Sequence, residues 1–366
     1  MNSIFRPTRA EVRLGAVRKN LQKIQAAVGP ARVLFVVKAN AYGHGAAPLA
    51  ALAERERLAW GFGVSSVEEG LALRQAGIKS PVLVLGSLYP FESFVEAINS
   101  GLTVTIASLD AARQVKEAAA GLGKKAVCHI KLETGMGRIG ARKPSVLKIY
   151  DELSSCGDVF VEGLYTHLSS AESDPDYTGF QLSIFNETAS ELEARGARGL
   201  ILHAANSAAA LNCPVSRLDL VRCGIAVYGL ADGFEPALEL KSRIVFIKNV
   251  REGAFVSYDR SFRADRPMKI ATIPAGYGDG YLRRFSNRAE ILVGGRRCKV
   301  LGNVTMDMVM ADVTAVKDAA VGSEAVLLGR QGAEEVAAGE LAALADTITY
   351  EIVTLISARV PRVYVE

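Results

Sequence analysis

The chain has 366 residues, more than one hydrophobic core usually holds, so two domains are expected. Hydrophobic residues make up 49% and charged residues 22%, the balance of a globular protein, and a net charge of +4 without a long basic run argues against a nucleic-acid partner. No stretch reaches about 18 uncharged apolar residues and the N-terminus lacks the apolar core of a signal peptide, so a cytoplasmic protein with no membrane partner is expected.

In chain order, the first apolar run is Val33–Lys38, in which five mostly β-branched or aromatic residues precede a lysine. Such a run reads as a strand buried on both faces, the kind a parallel sheet uses. Further runs follow at Trp60–Val64, Pro81–Gly86, Thr103–Ser108, Ala126–Glu133, Val159–His167, Leu200–Ala205 and Leu218–Ile225, which makes eight. Between them lie PLAALAERERLA, VEEGLALRQAG, LDAARQVKEAAAGLG, SVLKIYDELSSCG and FNETASELEARGA, with apolar residues at helical spacing and glycine near several stops. Eight βα units over about 220 residues are what a (β/α)8 barrel requires, with a doubly wound open sheet as the alternative.

After about residue 235 the texture changes. LKSRIVFIKNV, MKIATIPA, RAEILVGG, RCKVLGNV and EAVLLG read as short strands between glycine turns, interrupted by one helical stretch, AAGELAALADTITYEIVTLIS. The expected fold class is therefore α/β, a (β/α)8 TIM-like barrel over residues 12–235 followed by a mainly β C-terminal domain over 236–366. Residues 1–11 are expected to add a strand to the second domain.

The polar candidates track the strand ends. Lys38 ends strand one, Arg138 follows strand five, His167 ends strand six, and Asn206 and Ser207 follow strand seven. Arg222, Gly224 and Ile225 sit at strand eight. In a barrel these ends share the face that carries active sites. Burying the Lys38 ammonium is expensive unless it is paired or converted, and a Schiff base with an aldehyde cofactor is one conversion; a lysine snorkelling to solvent is the plainer reading. GMGRIG at 135–140 matches G-x-G-x-x-G, but a dinucleotide fingerprint belongs on the first strand of its own βαβαβ half and this one follows the fifth of eight. Arg138 in that loop offers a planar fork suited to a carboxylate, or is a surface arginine.

Gly224 and the Ile225 amide, with Ser207 and Tyr42, lie where barrel phosphate sites are often built; a lone serine at a helix start otherwise reads as an N-cap. His167 near Arg222 would stay neutral and fix the guanidinium by hydrogen bonding. GYGDG at 276–280 lacks the lysine of a phosphate loop and reads as a turn. Tyr258, Met306 and Asp307 read, on local pattern alone, as ordinary strand residues. The five cysteines form no C-x-x-C pair and no metal-like cluster with the four histidines, so reduced thiols and no metal are expected.

Taken together, VVKANAYGHG, GMGRIG, THLSSAES, HAANSAA, RCGIAVYG, VSYDR, GYGDGY, TMDM and the terminal RVPR resemble the bacterial alanine racemases, in that order and over nearly the whole chain. The resemblance implies a pyridoxal 5′-phosphate barrel with a C-terminal β domain, a head-to-tail homodimer, and interconversion of L- and D-alanine that supplies peptidoglycan. Carried over by position, Lys38 would hold the cofactor and serve as one base. Tyr42, Ser207, Gly224 and Ile225 would bind its phosphate, and Arg222, oriented by His167, would face the pyridine nitrogen. Arg138 and the Met306 amide would receive the substrate carboxylate. Tyr258 would be the second acid/base, with Tyr281 lining the entrance; in the family Tyr258, Tyr281 and Met306 reach in from the partner subunit. Lys131 matches a position that is carbamylated in many relatives and steadies the arginine.

Two positions depart from the family. Asp259 stands where relatives commonly have glycine, which bears on the local turn. Ala358 stands where some carry a tyrosine near phosphate and substrate, so a broader alanine and serine racemase is the alternative. A fold-related amino-acid decarboxylase would lack a base matching Tyr258 and would carry an acidic residue where Arg222 is. A single-barrel carrier protein would lack residues 236–366.

Overall fold

The computed structural model describes residues 5–366. They form two compact units, one of Arg18–Ala41 and Ala46–Val227, the other of residues up to Val17, Tyr42–Gly45 and Tyr228–Glu366.

The first unit is a parallel sheet of eight strands with helices between them. In chain order the strands are Arg32–Val36, Gly61–Val64, Val82–Val84, Thr103–Ile106, Ala126–Lys131, Val159–Tyr165, Ile201–His203 and Leu220–Cys223, the first seven paired each with the next and the eighth with the first. Strands seven and eight close the barrel through three contacts rather than a regular ladder. Arg222 N donates to Ala205 O at 2.9 Å, Asp219 N to Leu202 O at 3.1 Å, and the Asp219 carboxylate accepts from Leu202 N at 2.8 Å. All eight expected strands are present, seven of them shortened and the first shifted to start at Arg32 and stop before Lys38. The second and third are buried at every position because each lies between barrel interior and helices. Serine, aspartate and asparagine caps start the helices after several strands: Ser66, Ser108, Asp174 and Asn206 each accept a backbone N–H from the first turn.

The second unit is mainly β. Its larger sheet runs Arg296–Lys299, Glu290–Val293, Glu324–Gln331, Leu238–Arg243, Arg9–Arg13, Arg362–Val365, with Glu334–Val336 beside Glu324–Gln331. Arg9–Arg13 lies antiparallel to Leu238–Arg243 and parallel to Arg362–Val365, so the start and the end of the chain share one sheet. A three-stranded sheet, Phe246–Val250, Met268–Ile273 and Val309–Asp312, packs Met268 and Ile270 with Val256, Ala264 and Leu301. Two sequence expectations are corrected. The run from Leu240 to Val250 is two strands in different sheets, and the single helical stretch at 337–357 is two helices, Ala338–Ala345 and Thr349–Thr354, parted at Asp346 in the left-handed region with φ 57°.

Candidate active site

The first barrel strand ends at Val36, and Lys38 follows at the entry to a backbone turn of unusual hand. Ala39, Asn40, Ala41 and Tyr42 have φ of 51°, 52°, 55° and 52°, four consecutive non-glycine residues in the left-handed region. One side chain from another element and one of its own hold the turn. The Glu69 carboxylate accepts from Ala39 N at 2.6 Å and from Ser65 N at 2.7 Å, while Asn40 Oδ1 accepts from Ala46 N at 2.9 Å. Burial lowers the pKa of the Lys38 ammonium and the Arg138 charge lowers it further, against a smaller pull from Glu69.

Arg138 stands in the loop after the fifth strand, and that loop wraps around a carboxylate. Glu133 accepts from Gly135 N at 2.5 Å and Gly137 N at 3.0 Å. Gly135 and Gly140 have φ of 138° and 151°, and a Cβ on Gly140 would sit 2.8 Å from Glu133 N. The amides that a phosphate would need are thus taken by the protein's own carboxylate, which disposes of the dinucleotide reading of GMGRIG. Lys131, at the end of the same strand, is buried; burial, with Arg222, Arg138 and Lys38 adding repulsion, pushes its ammonium down to about 8.

Arg222 is buried at the end of the eighth strand among uncharged acceptors. One terminal nitrogen donates to His203 Nδ1 and to His203 O, both at 3.1 Å. The other reaches Thr166 O at 2.6 Å, Ala204 O at 3.0 Å and His167 Nδ1 at 3.3 Å. Its face lies over the Tyr165 ring at 5.2 Å, and burial pushes the guanidinium down to about 10, so it keeps its proton near neutrality. His167 is pushed to about 3 by burial and by the neighbouring cations, Arg222 foremost, and is neutral. Gln181 binds this layer together: its amide donates to Thr134 Oγ1 at 3.1 Å and to His167 O at 3.2 Å.

At the seventh strand, Asn206 rather than Ser207 caps the helix Ser207–Asn212, accepting from Ala209 N at 3.0 Å. Ser207 Oγ accepts instead from Gly224 N at 3.1 Å, which ties the serine to the residue before Ile225.

The remaining candidates belong to the second unit. Tyr42 is buried, its ring 4.9 Å from Tyr228 and 5.8 Å from Tyr350, and burial raises the pKa of its phenol. Tyr258 and Met306 are not strand residues, contrary to the local pattern. Tyr258 opens a short turn, 68% exposed, and Met306 lies in a loop, 53% exposed. Asp259 takes φ 58°, a conformation that glycine would adopt freely and that aspartate tolerates better than most residues. Tyr281 is buried against Phe285, ring centroids 4.8 Å apart, and its hydroxyl finds no hydrogen-bond acceptor among the described residues.

Several residues escaped sequence reasoning. Tyr165, His203, Gln181 and Glu69 look like ordinary barrel residues in the string. Asp279, read only as part of a turn, is a fully buried carboxylate held by Arg6 and Arg359 and accepting from Gly276 N at 2.9 Å. For Tyr165 and His203 the signal available was a place at a strand end, too weak to separate them from packing residues, and Gln181 and Glu69, within helices, carried none.

Comparison with known proteins bears on this arrangement. A family model described as the alanine racemase N-terminal domain matches residues 12–232, and one described as the alanine racemase C-terminal domain matches 237–364. The chain is 46% identical to an alanine racemase of Symbiobacterium thermophilum over 98% of this chain and 97% of the relative. Among solved structures it is similar to an alanine racemase of Bacillus anthracis with bound L-Ala-P, at a TM-score of 0.93 and 35% identity, covering 100% of this chain and 96% of that one. It is likewise similar to an alanine racemase of Clostridium difficile 630 in complex with cycloserine, at 0.92 and 35%, covering 100% and 97%.

Proposed function

The chain belongs to the alanine racemase family, and from that premise we propose that it interconverts L-alanine and D-alanine by a two-base mechanism on pyridoxal 5′-phosphate. We further propose a cytoplasmic homodimer, its sites shared between subunits, supplying D-alanine for peptidoglycan. Among the described residues no helix is long and apolar enough to cross a membrane.

The observation that carries the reading is the charge at the barrel's C-terminal mouth. Arg138 lowers the proton affinity of Lys38, and Arg222, Arg138 and Lys38 lower that of Lys131, while the nearest carboxylates, Glu69 and Glu133, are spent on backbone amides. Such a site favours anions, and a phosphate together with a substrate carboxylate fits it. The donor set suits the cofactor as well. Lys38 is an amine with lowered pKa, which suits covalent attachment to an aldehyde. Four N–H bonds of the two terminal nitrogens of Arg222 face protein acceptors, so the Nε–H is the donor left for a ring nitrogen. Ser207, Gly224, Ile225 and Tyr42 would hold the phosphate.

When bound, the cofactor supplies an electron-withdrawing ring that makes the substrate's α-proton acidic. The chain's residues do the rest. Arg138 and the Met306 amide hold the carboxylate. Lys38 Nζ takes or returns the proton on one face and Tyr258 Oη on the other. Arg222 cannot give up its proton as an acid would, so the ring stays a weak electron sink and side reactions are limited. The exposure of Tyr258 and Met306 supports their reaching the partner's site, and Tyr281 would join them at the entrance. Lys131, its ammonium lowered to about 8 and so about half neutral near pH 8, is suited to add carbon dioxide and form a carbamate facing Arg138.

The test is direct. Pure protein incubated with L-alanine should lose optical rotation, and Lys38→Ala should abolish both this and the visible absorbance of the bound cofactor. Release of carbon dioxide from an amino acid, or a Lys38→Ala protein that still racemises, would overturn the assignment.

A further inference from the structure

Arg222 is a buried cation whose five acceptors are all uncharged. A guanidinium can only donate, so His203 Nδ1 must accept from it and the ring proton of His203 lies on Nε2. That Nε2 is 2.8 Å from His129 Nδ1, so His129 accepts there and carries its own proton on Nε2. His129 Nε2 in turn is 3.0 Å from the Glu162 carboxylate, which is the terminal acceptor. The four groups form a chain of hydrogen bonds with one direction, from Arg222 outward to Glu162. Both imidazoles are fully buried, and burial holds each below the usual histidine range, so both are neutral, as a directed chain of single protons demands.

The backbone is shaped to allow the chain. Cys128 pairs with Val161 and His129 with Gly163, so Glu162 is an extra residue, bulged out of register in the sixth strand. The next residue is glycine, and a Cβ there would stand 2.6 Å from His129 Nδ1 and 2.7 Å from its Cε1. A bulge that turns a carboxylate toward His129 and a glycine that admits the imidazole are consecutive in sequence. The Glu162 side chain keeps 25% exposure, so its charge costs less to maintain than one placed beside Arg222 would.

We propose that Glu162 and His129 are positioning residues for the racemase site: through His203 they fix the tautomer that gives Arg222 an acceptor, and so fix the plane in which its remaining Nε–H points. The proposal rests on the reading of Arg222 as the partner of the cofactor's ring nitrogen. If Glu162 were not an acceptor, His129 would be free to place its proton on Nδ1. His203 would then carry its proton on Nδ1, donor against donor at the guanidinium.

The experiment is ring-nitrogen NMR on isotope-labelled protein, with and without pyridoxal phosphate, joined to steady-state racemisation. In the wild type, His129, His167 and His203 should be protonated on Nε2, whereas His44, whose Nδ1 faces Tyr42 O at 2.9 Å, should be protonated on Nδ1. Glu162→Gln retains an oxygen acceptor and should keep this pattern and the turnover. Glu162→Leu should disturb the His129 and His203 signals and lower kcat about tenfold, the worth of one charge-assisted hydrogen bond, with KM for alanine unmoved. A proton on His203 Nδ1 in the wild type would overturn the proposal even if Glu162→Leu did not fold. So would a leucine variant with unchanged signals, whatever its kcat. Absence of racemisation in the wild type would instead refute the functional reading, since the tautomer pattern needs no substrate.

Discussion

Tyr258→Phe separates folding from chemistry more cleanly than any other change at this site. The side chain is 68% exposed, and the contacts made by the residue use its backbone: Tyr258 O accepts from Asn303 Nδ2 at 3.2 Å and from Ser261 N at 3.2 Å. Phenylalanine keeps both. Loss of an exposed phenolic oxygen should therefore shift stability by no more than about 0.5 kcal/mol, and the thermal midpoint should stay within a few degrees. Turnover should respond differently. A positioned acid/base contributes about 10²–10⁴-fold, equivalent to roughly 3–5 kcal/mol of barrier. Only one face of the substrate loses its proton donor, so the defect has a direction. In deuterium oxide, exchange of the α-proton should survive from the enantiomer that Lys38 deprotonates, D-alanine by family likeness, and collapse from the other. Proton NMR of each enantiomer with enzyme reads this without requiring net racemisation. Equal residual exchange from both enantiomers would refute Tyr258 as the second base, and a kcat within twofold of wild type would refute any part for it in proton transfer.

Three further outcomes are expected. Arg222→Glu should place a carboxylate against the carbonyls of Thr166, His203 and Ala204, lowering stability by roughly 3 kcal/mol; with cofactor and alanine it should give new long-wavelength absorbance, slower racemisation and more transamination, and an unchanged spectrum would remove Arg222 from the ring. Asp279→Asn should cost about 3 kcal/mol at pH 7, the low end for breaking a buried pair because Arg6 and Arg359 keep 33% and 39% exposure. Burial opposes ionisation of Asp279, but Arg6, Arg359 and Gly276 outweigh it and hold the folded pKa below the unfolded one; its stabilisation is therefore full above the unfolded aspartate range and fades as pH falls, so denaturant curves of the two proteins should converge at acid pH. Ala358→Tyr should depress serine racemisation more than alanine racemisation, since a pocket rejects one added small group by only ~10–200-fold; an unchanged ratio of kcat/KM would leave Ala358 without a part in specificity.

Much of the barrel was legible because its strands are buried on both faces. Runs such as Gly61–Val64 and Val82–Val84 carry no polar side chain that would suit a solvent-facing element. Where burial stops marking the element, the reading loses precision. Leu240 to Val250 is apolar enough to pass for one strand, yet Ile244 and Val245 bond to Ser323 and Thr272, partners in different parts of the unit, and the chain changes sheet between them. Likewise 337–357 keeps helical composition through Asp346, whose left-handed backbone no propensity would foretell.

At the first strand, its pattern carried the reading to Lys38 but not into the turn that follows, and the reason is physical. Ala-Asn-Ala-Tyr contains no glycine, and left-handed backbone costs L-residues about 1–2 kcal/mol each, so any local code assigns that segment elsewhere. Four such residues together set a cost comparable with the net stability of a small domain, and such strain persists only where the surroundings over-determine it. What determines it here is partly distant in sequence, a carboxylate from position 69, and partly the turn's own Asn40, whose side-chain oxygen accepts from Ala46 N. Glu69 also bonds Ser65 and attracts the Lys38 ammonium, so the residue that fixes the turn acts on the proton affinity of the lysine the turn presents. One side chain thus helps to hold the turn that presents the reactive amine and also tempers the loss of proton affinity that burial and Arg138 impose, yet the string of letters shows it only as the third residue of an ordinary helix.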